Sequence, residues 1–264
     1  MEKSKLSESP KSVILERGYI NVYSQLNVKE RRQLFYNREY KKLNPSWDNT
    51  MILMCKMFEL ASGSKPIVLD AGCGNGNYII DEYRGKIAWA YGVDADRQAT
   101  SKNVCLDEIK YSSLEKIPYP NNEFDVVLSL WAIEHLENPQ GVFKEIFRVL
   151  KPGGSFIFCT PNKDYFLLKI KQILQSRKIN NLINKVLFGR EERDIFPTFY
   201  RANDLTRLSS QLKSCGFSDV KLKPNYDPGY TSFESLSFGL SNWLGETKAC
   251  GFLPHIVGIC NKIL

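Results

Sequence analysis

Strand-like and helix-like segments alternate from Ile67 to Asn162, and that rhythm predicts an α/β protein built on a parallel sheet. Two local observations support it. The apolar run Ile67-Val68-Leu69 enters Asp70 and then a loop with glycine at 72, 74 and 76, the pattern of a buried strand breaking sharply into a helix. Farther on, Phe124-Asp125-Val126-Val127-Leu128-Ser129-Leu130 is apolar on both alternating faces, as a central strand must be.

Residues 1–12 are polar and expected to fray. From Ser12 to Glu59 the chain reads as helical, with breaks near Asn27 and at Asn44-Pro45-Ser46. Trp47, Met51, Met54 and Phe58 recur at helical spacing, giving an apolar face for the sheet or for a ligand above it. The strand at Ile67 is followed by a helix from about Tyr78, whose first N–H groups are expected to point at whatever occupies the glycine loop. Ile87 to Asp94 reads as the second strand, Ile109 to Tyr111 as the third, and Pro139 to Leu150 as a helix stopped by Lys151-Pro152-Gly153-Gly154. Ser155 to Asn162 is the fifth strand and its exit. Asn203 is expected to cap a helix ending at Cys215-Gly216, Val220-Lys221-Leu222 to form a sixth strand and His255 to Cys260 the last.

The glycine run separates two ligand classes. A dinucleotide turn needs Gly-x-Gly-x-x-Gly, and from Gly72 the third glycine would fall on Asn77. The run Asp70-Ala71-Gly72-Cys73-Gly74-Asn75-Gly76 instead resembles motif I of the class I S-adenosylmethionine-dependent methyltransferases, Asp/Glu-x-Gly-x-Gly-x-Gly, and the order of elements from there to Asn162 is similar to that family throughout. The resemblance implies a Rossmann-like three-layer sandwich with a seven-stranded, mostly parallel sheet whose last strand is antiparallel. It implies S-adenosylmethionine as cofactor, held at the carboxyl ends of the first, second and fourth strands by Asp70, Gly72, Cys73, Gly74, Asn75, Gly76, Asp94, Ala95, Ser113, Leu114, Leu130 and Trp131. Asp94 has the two oxygens needed for both ribose hydroxyls, and it equally suits a helix cap. Many relatives carry Asp where this chain has Ser113, a weaker acceptor for the adenine amino group.

At the end of the fourth strand stands Trp131-Ala132-Ile133-Glu134-His135. A neutral imidazole takes a phenol or alcohol proton near pH 7, which makes His135 the candidate base, and Glu134-His135 reads equally as a pair that orients the loop. Quinone-type O-methyltransferases bind a divalent metal through Glu-x-x-Glu-His here. Trp131 stands at the first of those glutamates, so no metal is expected. Tyr36 and Tyr40 in the N-terminal helices, and Tyr200 and Arg201 in Phe196-Pro197-Thr198-Phe199-Tyr200-Arg201, are candidate acceptor-binding residues by the same resemblance.

Residues 163–201 leave the strand–helix rhythm. They hold nine Lys/Arg against four Asp/Glu and an apolar stripe through Phe166, Leu167, Ile170, Ile173 and Leu174. Such a basic amphipathic insert suits a substrate lid, a peripheral membrane contact through residues 163–190, or an ordinary helical hairpin. The chain thus divides into an N-terminal helical cap (1–62), a cofactor core (63–162), the insert (163–201) and a C-terminal part that completes the sheet (202–264).

The 264 residues suffice for a core without disulfides, and the net charge of +7 is modest. Seven cysteines without a Cys-x-x-Cys pair read as reduced thiols. No apolar run reaches the roughly 18 residues of a membrane span, and the charged start lacks a signal-peptide core, so a cytoplasmic enzyme is expected. Nucleic-acid methylation is disfavoured: Ser129-Leu130-Trp131-Ala132 replaces Asn/Asp-Pro-Pro-Tyr, and Cys159-Thr160 is not a Pro-Cys nucleophile. The expected activity is methyl transfer to an oxygen of a small or lipid-linked acceptor, with N-methylation and a non-catalytic cofactor-binding module as alternatives.

Overall fold

The computed structural model describes residues 28–101, 103–173, 197–230, 232, 235–246, 251 and 253–263. Seven strands form one sheet in the order β3-β2-β1-β4-β5-β7-β6. They are β1 (Ile67–Ala71), β2 (Trp89–Asp94), β3 (Glu108–Tyr111), β4 (Phe124–Leu130), β5 (Leu150–Pro161), β6 (Ser218–Asn225) and β7 (His255–Asn261). The first five pair in parallel, while β7 runs antiparallel to both β5 and β6. The second strand begins two residues later than its apolar run, because Ile87 and Ala88 turn the corner from a 3-10 turn at Arg84–Lys86.

The helices are α1 (Val28–Leu43), α2 (Thr50–Ala61), α3 (Tyr78–Tyr83), α4 (Pro139–Val149), α5 (Phe166–Ile173), α6 (Leu205–Ser214) and α7 (Ser235–Glu246). One face of the sheet is covered by α2 and α3, where Met54, Phe58, Ile79 and Ile80 pack on Val68, Val126, Leu128 and Ile157. On the other face, Phe143 and Ile146 of α4 and Leu208 and Leu212 of α6 meet Leu69, Val127 and Phe156. The central β4 is therefore buried on both faces, as its continuous apolar run requires. Its one acidic residue, Asp125, sits at the strand's start, accepts the Ile67 N–H at 2.8 Å and pairs with Lys151 at 2.9 Å.

Side-chain caps fix the helix starts. Asn49, Asn77 and Asn138 each accept a backbone N–H at the beginning of α2, α3 and α4. For α6 the cap is Asp204, which accepts the Arg207 N–H at 2.8 Å, and not Asn203. Asn203 is completely buried, and its amide serves Thr160 instead.

Much of the basic insert, residues 174–196, lies outside the described residues, as do Ser12 to Asn27. The described part begins with α5, where Lys169 pairs with Asp164 at 3.0 Å. No helix among the described residues is long and apolar enough to cross a membrane.

Phe156 is fully buried at the centre of an aromatic group, its ring 4.7 Å from that of Phe158 and 5.9 Å from that of Phe217. Phe156→Ala should cost about 3–5 kcal/mol in urea unfolding, the range for emptying a packed aromatic site; a loss below about 1 kcal/mol would contradict this packing.

Candidate active site

The glycine turn stands at the carboxyl end of β1, between the ends of β2 and β4. Gly72 donates its N–H to the Val93 carbonyl at 2.8 Å, and Ser129 of β4 donates its hydroxyl to the Ala71 carbonyl at 2.9 Å, so the turn is tied to both neighbouring strands. Gly72 has φ +81°, and a Cβ there would stand 2.7 Å from the Ala132 Cβ. No other residue fits. A Cβ on Gly74, by contrast, would meet nothing within 4 Å among the described residues, so that bare main chain faces open space there.

Two carboxylates flank that space. Asp94, half-buried at the end of β2, accepts the Gly74 N–H at 2.9 Å with Oδ2 and the Asp96 N–H at 2.8 Å with Oδ1. Each oxygen retains a lone pair for a ligand hydroxyl. Asp70 is buried, with Oδ1 accepting from the Asn77 side chain at 2.9 Å. Its Oδ2 is buried without a hydrogen-bond partner among the described residues. Burial pushes the Asp70 carboxyl up to about 7, with the Asn77 bond opposing and the neighbouring Asp94 charge adding to the rise. A buried, half-satisfied carboxyl beside an open cradle fits a cationic ligand group.

Asn77 does two jobs that its place in the sequence does not advertise. Its amide donates to Asp70 while its carbonyl oxygen accepts the Ile79 N–H at 3.0 Å, capping α3. The first helical amide expected to face the ligand is thereby taken. The readable signal was an Asn directly before an apolar helical run. Asn103 was also missed: its amide donates to the Gly74 carbonyl at 2.9 Å and the Cys73 carbonyl at 3.3 Å, bracing the loop from β2's exit. Nothing local to Asn103 announces this.

The remaining predicted cofactor residues surround the same rim. Cys73 is buried beneath the turn, whereas Asn75 and Gly76 are exposed. Ala95 is exposed just past Asp94, and Ser113 is exposed with its hydroxyl accepting the Glu115 N–H at 3.2 Å. Leu114 is half-buried within reach of Gly72. Leu130 and Trp131 end β4. Trp131 has φ +56°, a left-handed conformation uncommon for a bulky residue. Its N–H donates to the Cys159 carbonyl at 3.1 Å, and its ring meets His255 edge-on with centroids 4.7 Å apart. His255 is buried beside the Thr50 hydroxyl at 2.9 Å, and burial lowers its pKa to about 3, so it stays neutral.

Beyond the end of β4, His135 Nδ1 lies 2.7 Å from the Pro197 carbonyl and Nε2 lies 3.9 Å from Glu134 Oε1. The half-buried Tyr200 follows Phe199, whose N–H donates to the Glu134 carbonyl at 2.8 Å, and the exposed Arg201 donates to the Glu137 carbonyl at 2.6 Å. Tyr36 is buried in a stack on Phe238, and Tyr40 is buried between Trp47 and Tyr226, so these two join α1 to the C-terminal segment.

A seven-stranded sheet of this order, with a bare-backbone turn and two carboxylates at the carboxyl edge, defines a nucleoside-cofactor-binding α/β protein. Residues 69–158, about a third of the chain, match the family described as "Methyltransferase domain", and this core is similar to that of the class I S-adenosylmethionine-dependent methyltransferases. It is 38% identical over 103 residues to a "probable S-adenosylmethionine-dependent methyltransferase" of Mycolicibacterium smegmatis, covering 38% of this chain and 39% of that one. A sterol 24-C-methyltransferase of Gibberella zeae is 35% identical over 106 residues, which are 34% of this chain and 26% of that one. The chain therefore spans well under half the length of these two relatives. A demethylmenaquinone methyltransferase of Geobacillus is 25% identical over 183 residues, 64% of this chain and 76% of that one. In fold, the chain is similar to one from the Haloferax volcanii complex between a methyltransferase and the Trm112 activator. The TM-score is 0.56 at 16% identity, covering 90% of this chain and 98% of that one.

The raised Asp70 pKa has a defined consequence. Between the ordinary carboxylate range and about 7, the folded protein holds a proton that the unfolded chain has released, so this group's contribution to stability falls as pH rises through that window. A cationic ligand favours the ionised form. Affinity for S-adenosylhomocysteine should tighten by up to about tenfold per unit as pH rises towards 7, and Asp70→Asn should flatten the profile. Wild-type affinity unchanged from about pH 5.5 to 7 would contradict the assignment.

Proposed function

We propose that this protein transfers the methyl group of S-adenosylmethionine to an oxygen of a small or lipid-linked acceptor. The sulfonium cofactor supplies an already activated methyl carbon. Asp70 would hold its ammonium group, Asp94 its ribose hydroxyls, and the exposed Ser113 and the Leu114 backbone its adenine. The rest of the task falls to this chain's own residues: to hold an acceptor oxygen in line, exclude water and take its proton.

The observation that carries the oxygen reading is the contact between His135 Nδ1 and the Pro197 carbonyl. A carbonyl only accepts, so Nδ1 must carry the ring proton and the neutral imidazole has its basic lone pair on Nε2. As the acceptor oxygen forms its bond to the methyl carbon, the carbon–sulfur bond breaks with its electrons left on sulfur. The acceptor proton passes to Nε2. An ether and S-adenosylhomocysteine result, and the imidazolium returns its proton to water.

For the acceptor's class, the support comes from the relatives. The sterol enzyme matches over 106 residues, whereas the demethylmenaquinone methyltransferase matches over 183. Both names point to apolar, lipid-like acceptors, and the basic amphipathic insert suits contact with an anionic lipid surface. The same relatives favour a second reading, transfer to carbon, since the first is named for it. The expected cytoplasmic location and the absence of a nucleic-acid partner belong to this proposal as well.

The test is a radiolabelled-methyl assay offering a prenylated hydroquinone in micelles, a water-soluble catechol and phosphoethanolamine. We expect transfer to the hydroquinone oxygen, with His135→Ala lowering turnover by about 10²–10⁴-fold. Label on ring carbon, or undiminished turnover in His135→Ala, would reject the oxygen mechanism.

A further inference from the structure

The loop that leaves β4 lies between two elements that a methyl transfer must align. On one side, Ala132 is packed against Gly72 of the cofactor turn so closely that a Cβ at 72 would overlap it. On the other, residues 197–203 are stitched to the same loop. The Glu134 carbonyl accepts the N–H groups of Phe199 at 2.8 Å and Tyr200 at 3.3 Å, His135 Nδ1 meets the Pro197 carbonyl, and Arg201 reaches the Glu137 carbonyl.

Two residues beyond Ala132 in that loop, Glu134 carries contacts to residues 197–203. The residue is 1% exposed, although Glu is among the residue types least often buried. Thr160, completely buried at the end of β5, donates its one hydroxyl proton to Glu134 Oε2 at 3.1 Å. The Thr160 oxygen in turn accepts the amide of buried Asn203 at 2.5 Å. The direction is fixed, because a carboxylate only accepts and an amide nitrogen only donates: Asn203 to Thr160 to Glu134. Asn203 is also held through its carbonyl, which accepts the Lys163 N–H at 2.8 Å. The 197–203 segment therefore reaches Glu134 twice, through main chain at Phe199 and Tyr200 and through Thr160 at Asn203.

We propose that Glu134 is a positioning residue that couples occupancy of the glycine turn to the register of residues 197–203, with Thr160 and Asn203 as its supports. The proposal rests on the cofactor reading above. Loading the turn presses on Ala132, and the short 3-10 turn Ile133–His135 transmits that contact to Glu134. The segment bearing Tyr200 and Arg201 is then ordered for the acceptor only once the methyl donor is in place. Interior packing passes such displacements on because it leaves no slack.

Hydrogen–deuterium exchange of the peptide containing Phe199 and Tyr200 reads this directly, with S-adenosylhomocysteine binding followed by calorimetry on the same samples. In the wild-type chain, saturating S-adenosylhomocysteine should slow exchange of that peptide by at least about fivefold, the lower range of a coupling between sites. Thr160→Val, which keeps shape but removes the donor, should bind S-adenosylhomocysteine and lose the slowing. Thr160→Ser should restore it, and Glu134→Gln should weaken it. Binding heat without protection in the wild-type, or full protection in Thr160→Val, overturns the coupling while leaving the cofactor site intact. Loss of binding in Thr160→Val would place the network inside the cofactor pocket and overturn the assignment too. No heat in the wild-type would remove the cofactor reading itself.

Discussion

The structure depends on how two acidic side chains are kept side by side at the mouth of the glycine turn. Asp94 is anchored by main-chain N–H groups, one of them from the turn itself, so the charge and the loop define each other's position. Among the described residues the Asp70 carboxyl accepts only from the Asn77 amide, and its second oxygen is buried and unmatched. Leaving such a group unpaired is costly, on the order of 1–3 kcal/mol. It persists because the surrounding strands, turn and helix cap fix it from several directions, and under the proposed function a positively charged ligand group would match it. The central sheet, the caps at Asn49, Asn77 and Asn138, and the two packed faces serve to hold this edge rigid.

The sequence made the cofactor half legible because its determinants are local. A glycine with positive φ, an acid at a strand end and a strand buried on both faces are decided by neighbours a few residues away, so Asp70, Gly72, Asp94 and β4 could be read directly. The helix cap expected at Asn203 falls on Asp204 instead, two residue types that both cap well. The choice was made by Thr160, which claims the Asn203 amide from a distant strand.

The acceptor half was hardly legible, and the residues explain why. Tyr36 and Tyr40 read as pocket aromatics, yet their surroundings are supplied by Phe238 and Tyr226 from the far end of the chain, and these rings bury one another. Glu134 reads as half of a pair with His135. Its burial and its hold on residues 199 and 200 depend on how the chain returns after the insert, which no periodicity encodes. Asn77 and Asn103 escaped notice because asparagine in a loop is ordinary until its two ends are seen to be spoken for.

The family resemblance and the geometry converge on one claim: the turn between Asp70 and Gly76, with Asp94, is built for a sulfonium nucleoside and not for a dinucleotide. Equilibrium dialysis with labelled S-adenosylmethionine, competed by S-adenosylhomocysteine and by NAD, tests it most directly. The account predicts saturable binding displaced by S-adenosylhomocysteine and left untouched by NAD. Binding that NAD displaces, or no binding of S-adenosylmethionine, would contradict it.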